Sequence, residues 1–349
     1  MATIEERALD IDKLHEFVFR AVDEIGATLN AALVVMGDRL GLYRALAGAG
    51  PLTPEELAHR TGTAERYVRE WLPGQAAGGY VSYDTGTDRY WLNEAQAVAF
   101  ADPGGMLLAG AYQLALACLA DRQMIVEAFR TGQGVAWGAH DENVFTGCER
   151  FYRPGYVQNL VSAWIPAVPE LADRLTAGIA VADVGCGLGA STKIIAETYP
   201  ASSVRGFDSH PESIELARAG GVDADVARAQ DFPGTGYGLV ATFDCLHDMG
   251  DPVGAARHIR DALADDGIWL IVEPYAGGTV AENLTPVGRV YYNFSTFLCV
   301  PHAISEGAAD ALGNQAGEAP IGKIVSEAGF GTFRRVAETP FNLVYEARP

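Results

Sequence analysis

Lysine is nearly absent from this chain of 349 residues, occurring only at Lys13, Lys193 and Lys323. Arginine supplies the other fixed cations, and 25 Lys and Arg stand against 45 Asp and Glu, a formal net charge of −20. A surface so acidic repels nucleic-acid phosphates and anionic membranes, so neither is an expected partner. Long apolar runs are missing too. None approaches the ~18 residues that suggest a membrane span. The first stretch, MATIEERALDIDKL, is charged from Glu5 and lacks the apolar centre of a secretion signal. The five cysteines (Cys118, Cys148, Cys186, Cys245, Cys299) form no C-x-x-C pair. Their scatter argues against a disulfide framework or a zinc ribbon and fits reduced thiols in the cytoplasm. No set of His, Asp or Glu at metal-ligand spacing stands out, so no metal is expected. Repeats and low-complexity segments are also absent.

Glycine is plentiful, and the informative stretch is residues 179–192, IAVADVGCGLGAST. An apolar run leads into Asp183. Gly185, Gly187 and Gly189 follow at alternate positions, with Cys186 between the first two. Ala190, Ser191 and Thr192 then read as a helix start. Strand, glycine turn and helix in this order open a nucleotide-binding α/β unit. A dinucleotide loop reads G-x-G-x-x-G and aims its helix at a pyrophosphate. Here the pattern is D-x-G-x-G-x-G, and an acid at its head favours a cationic ligand over a pyrophosphate. A nicotinamide-linked oxidoreductase is disfavoured on that ground.

The downstream chain repeats the strand–helix rhythm. Residues 202–218, SSVRGFDSHPESIELAR, read as a strand ending at Asp208, then Ser209 and a helix near Pro211. Asp208 lies 23 residues after Gly185, close to the ~20-residue offset of an acid that accepts from ribose hydroxyls. Residues 224–234 read as a short third strand ending at Gln230, Asp231 and Phe232. Residues 237–252, YGLVATFDCLHDMGDP, read as a fourth strand running into a loop, and GIWLIVEP (267–274) as the fifth.

The ordered set VADVGCGLGAS, VRGFDSHPES, AQDFP, FDCLHDMGDP and WLIVEP resembles the class I S-adenosylmethionine-dependent methyltransferases. The likeness is to the small-molecule branch that carries an N-terminal winged-helix dimerisation domain, and it covers nearly the whole chain. It implies an α/β fold with a Rossmann-like seven-stranded sheet, S-adenosyl-L-methionine as cofactor and S-adenosyl-L-homocysteine as product. With the charge logic, it assigns Asp183, Gly185 and Gly187 to the methionine end, Asp208 to the ribose hydroxyls, Gln230, Asp231 and Phe232 to adenine, and Phe243 and Asp244 to the sulfonium side. Cys186, Gly189 and Ser209 are expected to join the cofactor site beside them. The expected domains are a helical and winged-helix unit over 1–100, a helical connector over 101–178, and a cofactor-binding domain over 179–349 with a lid at about 276–320.

Apolar residues recur at helical spacing over 8–48, an exposed face that suits a homodimer. Residues 51–92 read as a winged helix-turn-helix. Thr53 starts a helix, Thr61-Gly62-Thr63 turns, Ala64–Leu72 forms the second helix, and 80–92 give strand, turn, strand. Across 51–90 there are six acids and four arginines. A DNA reader needs a positive face, so dimerisation is the favoured use of this module and a cofactor-sensing transcriptional regulator is the alternative. Residues 106–130 look apolar on more than one side and largely buried. In the resembling family the connector covers the cofactor and joins the substrate pocket. Trp137 and Tyr156 are therefore substrate candidates, with Asn283, Tyr291, Tyr292 and Phe294 from the aromatic lid, which implies a small aromatic or apolar acceptor.

Methyl transfer from a sulfonium is an in-line displacement, in which alignment and exclusion of water are the main tasks. A base is needed when the nucleophile arrives protonated. His247 lies just past the fourth strand, on the edge where open α/β sheets bind ligands. His247-Asp248 matches the start of the HDW string that places the base in similar O-methyltransferases. An imidazole titrating near 6.5 suits that role.

Overall fold

The computed structural model describes residues 9–102 and 105–349. Residues 1–8, the start of the expected N-terminal domain, and 103–104 lie outside the described residues. The chain divides into two units, Met1–Leu116 and Ala117–Pro349.

The first unit opens with a helix over Ile11–Arg39, started by Asp10, whose side chain accepts from Lys13 N–H. Its two ends behave differently. Ala31, Val34 and Val35 are buried, and Val34 packs into the unit's core with Tyr43, Trp71, Leu72 and Phe100. Phe17, Phe19, Val22, Ile25 and Leu29 lie on the same helix and stay exposed. Helices Pro54–Thr61 and Glu65–Ala77 follow, the first fixed by a reciprocal cap between Thr53 and Glu56. Gly62, at φ 66°, makes the turn between them. The second runs past Leu72 with Pro73 inside it. Strands β1 (Ser82–Asp84) and β2 (Arg89–Trp91) pair antiparallel as the wing.

The apolar stretch 106–130 is not one buried helix. It breaks at Asp121 into Ala109–Ala120 and Arg122–Thr131, and Phe129 is 76% exposed. The Asp121 carboxylate is drawn to His140 Nδ1 (2.9 Å) and Asp141 N–H (3.0 Å), which ends the first helix there.

The second unit is built on β3 (Ala180–Val184), β4 (Ser203–Asp208), β5 (Ala224–Val226), β6 (Tyr237–Phe243), β7 (Leu263–Pro274), β8 (Thr332–Glu338) and β9 (Asn342–Arg348). Their order across the sheet is β5-β4-β3-β6-β7-β9-β8, with β9 antiparallel to both neighbours. Period-two alternation sends β7 side chains to two cores. Ile268, Leu270 and Val272 join Leu160, Trp164, Leu171 and Ile195 on one face. Trp269 and Ile271 join Ile259, Ile321 and Ile324 on the other. The chain order reverses beside β3, so the crevice outside the carboxyl ends of β3 and β6 is the switch point where such sheets take ligands.

A further sequence reading needs correction. The third strand stops at Val226, because Asp231 N–H bonds Arg228 O (3.1 Å) and the Asp231 carboxylate accepts from Arg228 N–H (3.1 Å), which closes a turn over 228–231. The long insertion before the last helix is itself mainly helical: Pro286–Phe294, a π-helical turn over Ser295–Cys299, then Val300–Ser305.

Candidate active site

Three segments meet the carboxyl edge of the sheet: the glycine loop after β3, the end of β4 and the loop after β6. Gly185 and Cys186 both donate backbone N–H to Phe207 O on β4 (2.7 and 3.0 Å). Gly185 has φ 75°, and a Cβ there would stand 2.5 Å from Cys245 Sγ. The Cys245 thiol in turn donates to Val184 O (3.3 Å). The cofactor-type loop and the loop carrying His247 are therefore packed against each other. Gly187, at φ 54°, faces open space on its Cβ side, and its N–H donates to Asp208 Oδ2 (2.8 Å). Gly189 caps the helix Ala190–Thr198. The Cys186 side chain turns away into a small core with Ile214, Ala217 and Val222.

The acids divide by their partners. Asp183 Oδ2 accepts from Ser191 (2.7 Å) and Thr192 (2.6 Å). Its Oδ1 is buried with no hydrogen-bond partner. Burial pushes this carboxyl up to about 6. Asp208 holds Gly187 N–H with one oxygen and His210 N–H with the other (2.9 Å). Burial raises it as well. Ser209 is exposed beside it.

Asp244, just past β6, sits at φ 51°, an uncommon conformation for a residue with a Cβ. Its oxygens accept from Tyr156 Oη (2.9 Å) and Asn342 Nδ2 (2.8 Å). Burial, reinforced by the nearby Glu273 charge, lifts it to about 8. Phe243 packs its ring 5.4 Å from that of Tyr156.

His247 is 1% exposed. Its Nδ1 meets Glu273 Oε2 at 2.6 Å, and its Nε2 lies 3.1 Å from Asp248 Oδ1. The other Glu273 oxygen accepts from Leu246 N–H (3.0 Å), which fixes the carboxylate in place. Burial alone would lower the imidazole. The carboxylates of Asp248 and Glu273 outweigh it and hold His247 well above its ordinary value.

Other predicted site residues fall elsewhere. The Phe232 ring is 1% exposed and packed against Phe207, Tyr237 and His258, so it is core and leaves only backbone to a ligand. Asp231 is ion-paired with Arg228 (2.6 Å), and Gln230 Nε2 donates to Asp251 O (3.2 Å). Asn283 ties its own loop, accepting from Gly277 N–H (2.6 Å) and donating to Gly277 O (3.3 Å). Tyr291 is buried and donates to Phe341 O (2.8 Å). Tyr292 is half-buried, and Phe294 packs on Phe151 (5.7 Å). Trp137 lies in an aromatic group with Phe145 and His302, and the Phe145 ring stands 4.4 Å from that of His210, whose N–H is held by Asp208. Glu273 and Asn342 are additions that sequence reasoning missed. Glu273 was signalled by a lone charge in the apolar run WLIVEP. Nothing local marks Asn342, which reaches Asp244 across 98 residues.

Seven strands in this order, with the reversed β9 and a glycine loop at the switch point, define the class I S-adenosylmethionine-dependent methyltransferase fold, here with an N-terminal winged helix. Family models agree in the same places. An Rv2258c-like winged HTH domain matches residues 28–101 and a methyltransferase domain matches residues 156–303. Among curated proteins, the trans-aconitate 2-methyltransferase of Paracidovorax citrulli is 31% identical over 105 residues, 29% of this chain; the match spans 40% of that protein's length. A Nostoc punctiforme protein described as a candidate O-methyltransferase superposes with TM-score 0.70 at 18% identity, covering 94% of this chain and 98% of its own. Human N-acetylserotonin methyltransferase, solved with S-adenosylmethionine, gives TM-score 0.67 at 17% identity over 100% and 99% of the two chains. At these identities the structural likeness is one of fold.

The donor set suits such a cofactor. Asp183, Asp208, Asp244, Asp248 and Glu273 gather at one sheet edge, and the unpartnered Asp183 Oδ1 offers a buried acceptor to an ammonium. Among the described residues no helix is long and apolar enough to cross a membrane.

Proposed function

We propose that this chain transfers a methyl group from S-adenosylmethionine to a small aromatic or apolar acceptor, with His247 as general base. The observation that supports this furthest is the His247–Glu273 pair, seated on a loop that packs directly on the glycine loop. S-adenosylmethionine supplies an electrophilic methyl on a positive sulfur. Asp183 and Gly187 would orient its amino-acid end and Asp208 its ribose, while Tyr156 and Phe243 shield the reacting centre from water. Glu273 holds the proton on His247 Nδ1 and leaves Nε2 to accept one from the acceptor's hydroxyl. Asp248 and Glu273 then stabilise the imidazolium.

The N-terminal helix serves a homodimer in this reading, since Phe17, Phe19, Val22, Ile25 and Leu29 form an exposed apolar face. The regulator alternative is weakened by the second helix of the winged-helix module: Arg66 is paired with Glu70 (2.6 Å) and Arg69 with Glu65 (2.5 Å), which neutralises their charge within the helix.

The test is product detection by mass spectrometry after incubation with S-adenosylmethionine and a panel of phenols, indoles and amines, with His247→Gln in parallel. Methylated product should appear with wild type and its rate should rise with pH as His247 loses its proton. The variant should bind cofactor yet lose roughly 10²–10⁴-fold in rate. Equal rates in both proteins would remove His247 from the chemistry. Failure of folded wild type to bind the cofactor would remove the whole reading.

A further inference from the structure

Beside the His247–Glu273 pair lies a thiol that the methyl-transfer reading does not use. Cys299 ends the π-helical turn Ser295–Cys299 and is buried. One ligand atom each from His247, Asp248 and Cys299 can be chosen so that all lie within 4.8 Å of one another. A nitrogen, an oxygen and a sulfur in that span are the donors of a zinc-type site. We propose that His247, Asp248 and Cys299 bind a divalent thiophilic cation, and that its occupancy takes His247 out of proton transfer.

Two further observations point to a ligand here. Asp248 Oδ1 is buried and faces His247 Nε2 at 3.1 Å, so the carboxylate is paired with the imidazole and the two donor atoms already stand side by side where one cation would bind both. The Nδ1 of the same imidazole is held by Glu273 at 2.6 Å. A carboxylate on the far nitrogen of a histidine is the usual outer support of a metal-ligating imidazole, because it fixes the ring and leaves the near nitrogen's lone pair facing inward. Tetrahedral zinc places its ligand atoms about 3.5 Å apart, so the cluster closes by roughly 1 Å, within reach of a rotation at Cys299.

The chemistry also fixes the donor class. A thiolate ligand selects zinc, cobalt(II) or copper(I) over magnesium or calcium. Binding takes the proton from the Cys299 thiol and uses the Nε2 lone pair of His247, releasing protons to solvent. That lone pair holds a metal or accepts a proton, never both. Metal loading and base catalysis are therefore exclusive states of one residue; this consequence alone rests on the methyltransferase reading.

The test begins with chelator-stripped full-length protein titrated with Co²⁺. The expected result is one equivalent bound per chain, a thiolate-to-cobalt charge-transfer band in the near ultraviolet, and the intense visible bands of a tetrahedral ion. Cys299→Ser should abolish the charge-transfer band, and Asp248→Asn should weaken Zn²⁺ binding at least tenfold by calorimetry. Glu273→Gln should weaken it by about 10–100-fold through loss of the outer support. Mg²⁺ should not compete. Cofactor binding by each variant shows that it is folded, and it separates failure of this site from failure of the methyltransferase reading. Absence of the band in wild type, its persistence in Cys299→Ser, or equal competition by Mg²⁺ would each overturn the proposal.

Discussion

Replacing Asp208 by alanine tests the cofactor site at the point where loop architecture and ligand recognition meet. Its two oxygens accept from Gly187 N–H (2.8 Å) and His210 N–H (2.9 Å), and each carboxylate oxygen has a second lone pair to offer. A ribose diol has two hydroxyls to donate there. Hydrogen bonds to a charged group contribute about 1.5–3 kcal/mol each. Losing both weakens S-adenosylmethionine by about 3–6 kcal/mol, or on the order of 10²–10⁴-fold in Kd. The same substitution strips the loop of its acceptor, so stability falls too, by about 1–3 kcal/mol for each N–H left unpaired in the interior. Asp208→Asn separates the effects. It keeps an acceptor for one N–H but turns the other oxygen into a donor, so about half of the stability loss should be spared while affinity still drops. Calorimetric titration beside urea unfolding of the apo protein reads both quantities. The reasoning is refuted if Asp208→Asn binds the cofactor like wild type, or if both variants lose affinity only in proportion to stability.

Glu273→Gln removes one of the carboxylates that raise His247, so the rising limb of the rate against pH should move to lower pH, read in initial rates across the range. Asp244 is held near 8 in the fold against 3.8 in an unfolded chain, so its contribution to stability is present below pH 3.8 and is lost as pH rises through about 8. Asp244→Asn should therefore gain on wild type between those limits, by on the order of a few kcal/mol, measured as urea midpoints at about pH 5 and about pH 8.5. Gly185→Ala forces a Cβ to 2.5 Å from Cys245 Sγ at φ 75°. Cofactor binding should be lost or weakened at least tenfold, with a lowered Tm by calorimetry.

The sheet was legible because its strands are apolar runs ended by charge, and because the loop after β3 carries its glycines where the backbone turns left-handed. Gly185, Gly187 and Gly189 all have φ between 54° and 79°. Asp183, Asp208, Asp244 and His247 were legible for the same reason: each sits at the end of a recognisable strand. The adenine assignment was harder. The AQDFP string supplies the residue types, yet Phe232 faces the core, because a short third strand leaves an aromatic free to fill the space beside Phe207. Partners brought by remote segments left no local sign. Asn342 reaches Asp244 from the last strand, and Cys299 reaches His247 from a π-helical turn whose sequence reads as ordinary helix. Helical spacing over 8–48 told apolar from polar, but not which apolar residues the domain keeps. Val34 and Val35 are buried, whereas Phe19 and Leu29 on the same helix are not.

The acidity of the chain has its sharpest expression at this sheet edge. Five carboxylates, Asp183, Asp208, Asp244, Asp248 and Glu273, lie on or just beyond the ends of β3, β4, β6 and β7, and His247 pairs with two of them, Asp248 and Glu273. Asp183 and Asp244 respond by drifting upward, to about 6 and about 8. A fold evolved for stability alone gains nothing from such crowding, since each buried acid either ionises at a cost or holds a proton. The arrangement makes sense when a cation completes it. A dinucleotide brings two phosphates to this crevice and is repelled. In the proposed reading, a cofactor with an ammonium and a sulfonium would bring positive charge toward Asp183 and Asp244. The same crowding of carboxylates favours a cationic cofactor, and it leaves the Asp248–Cys299 side of His247 as a second place where a cation is welcome.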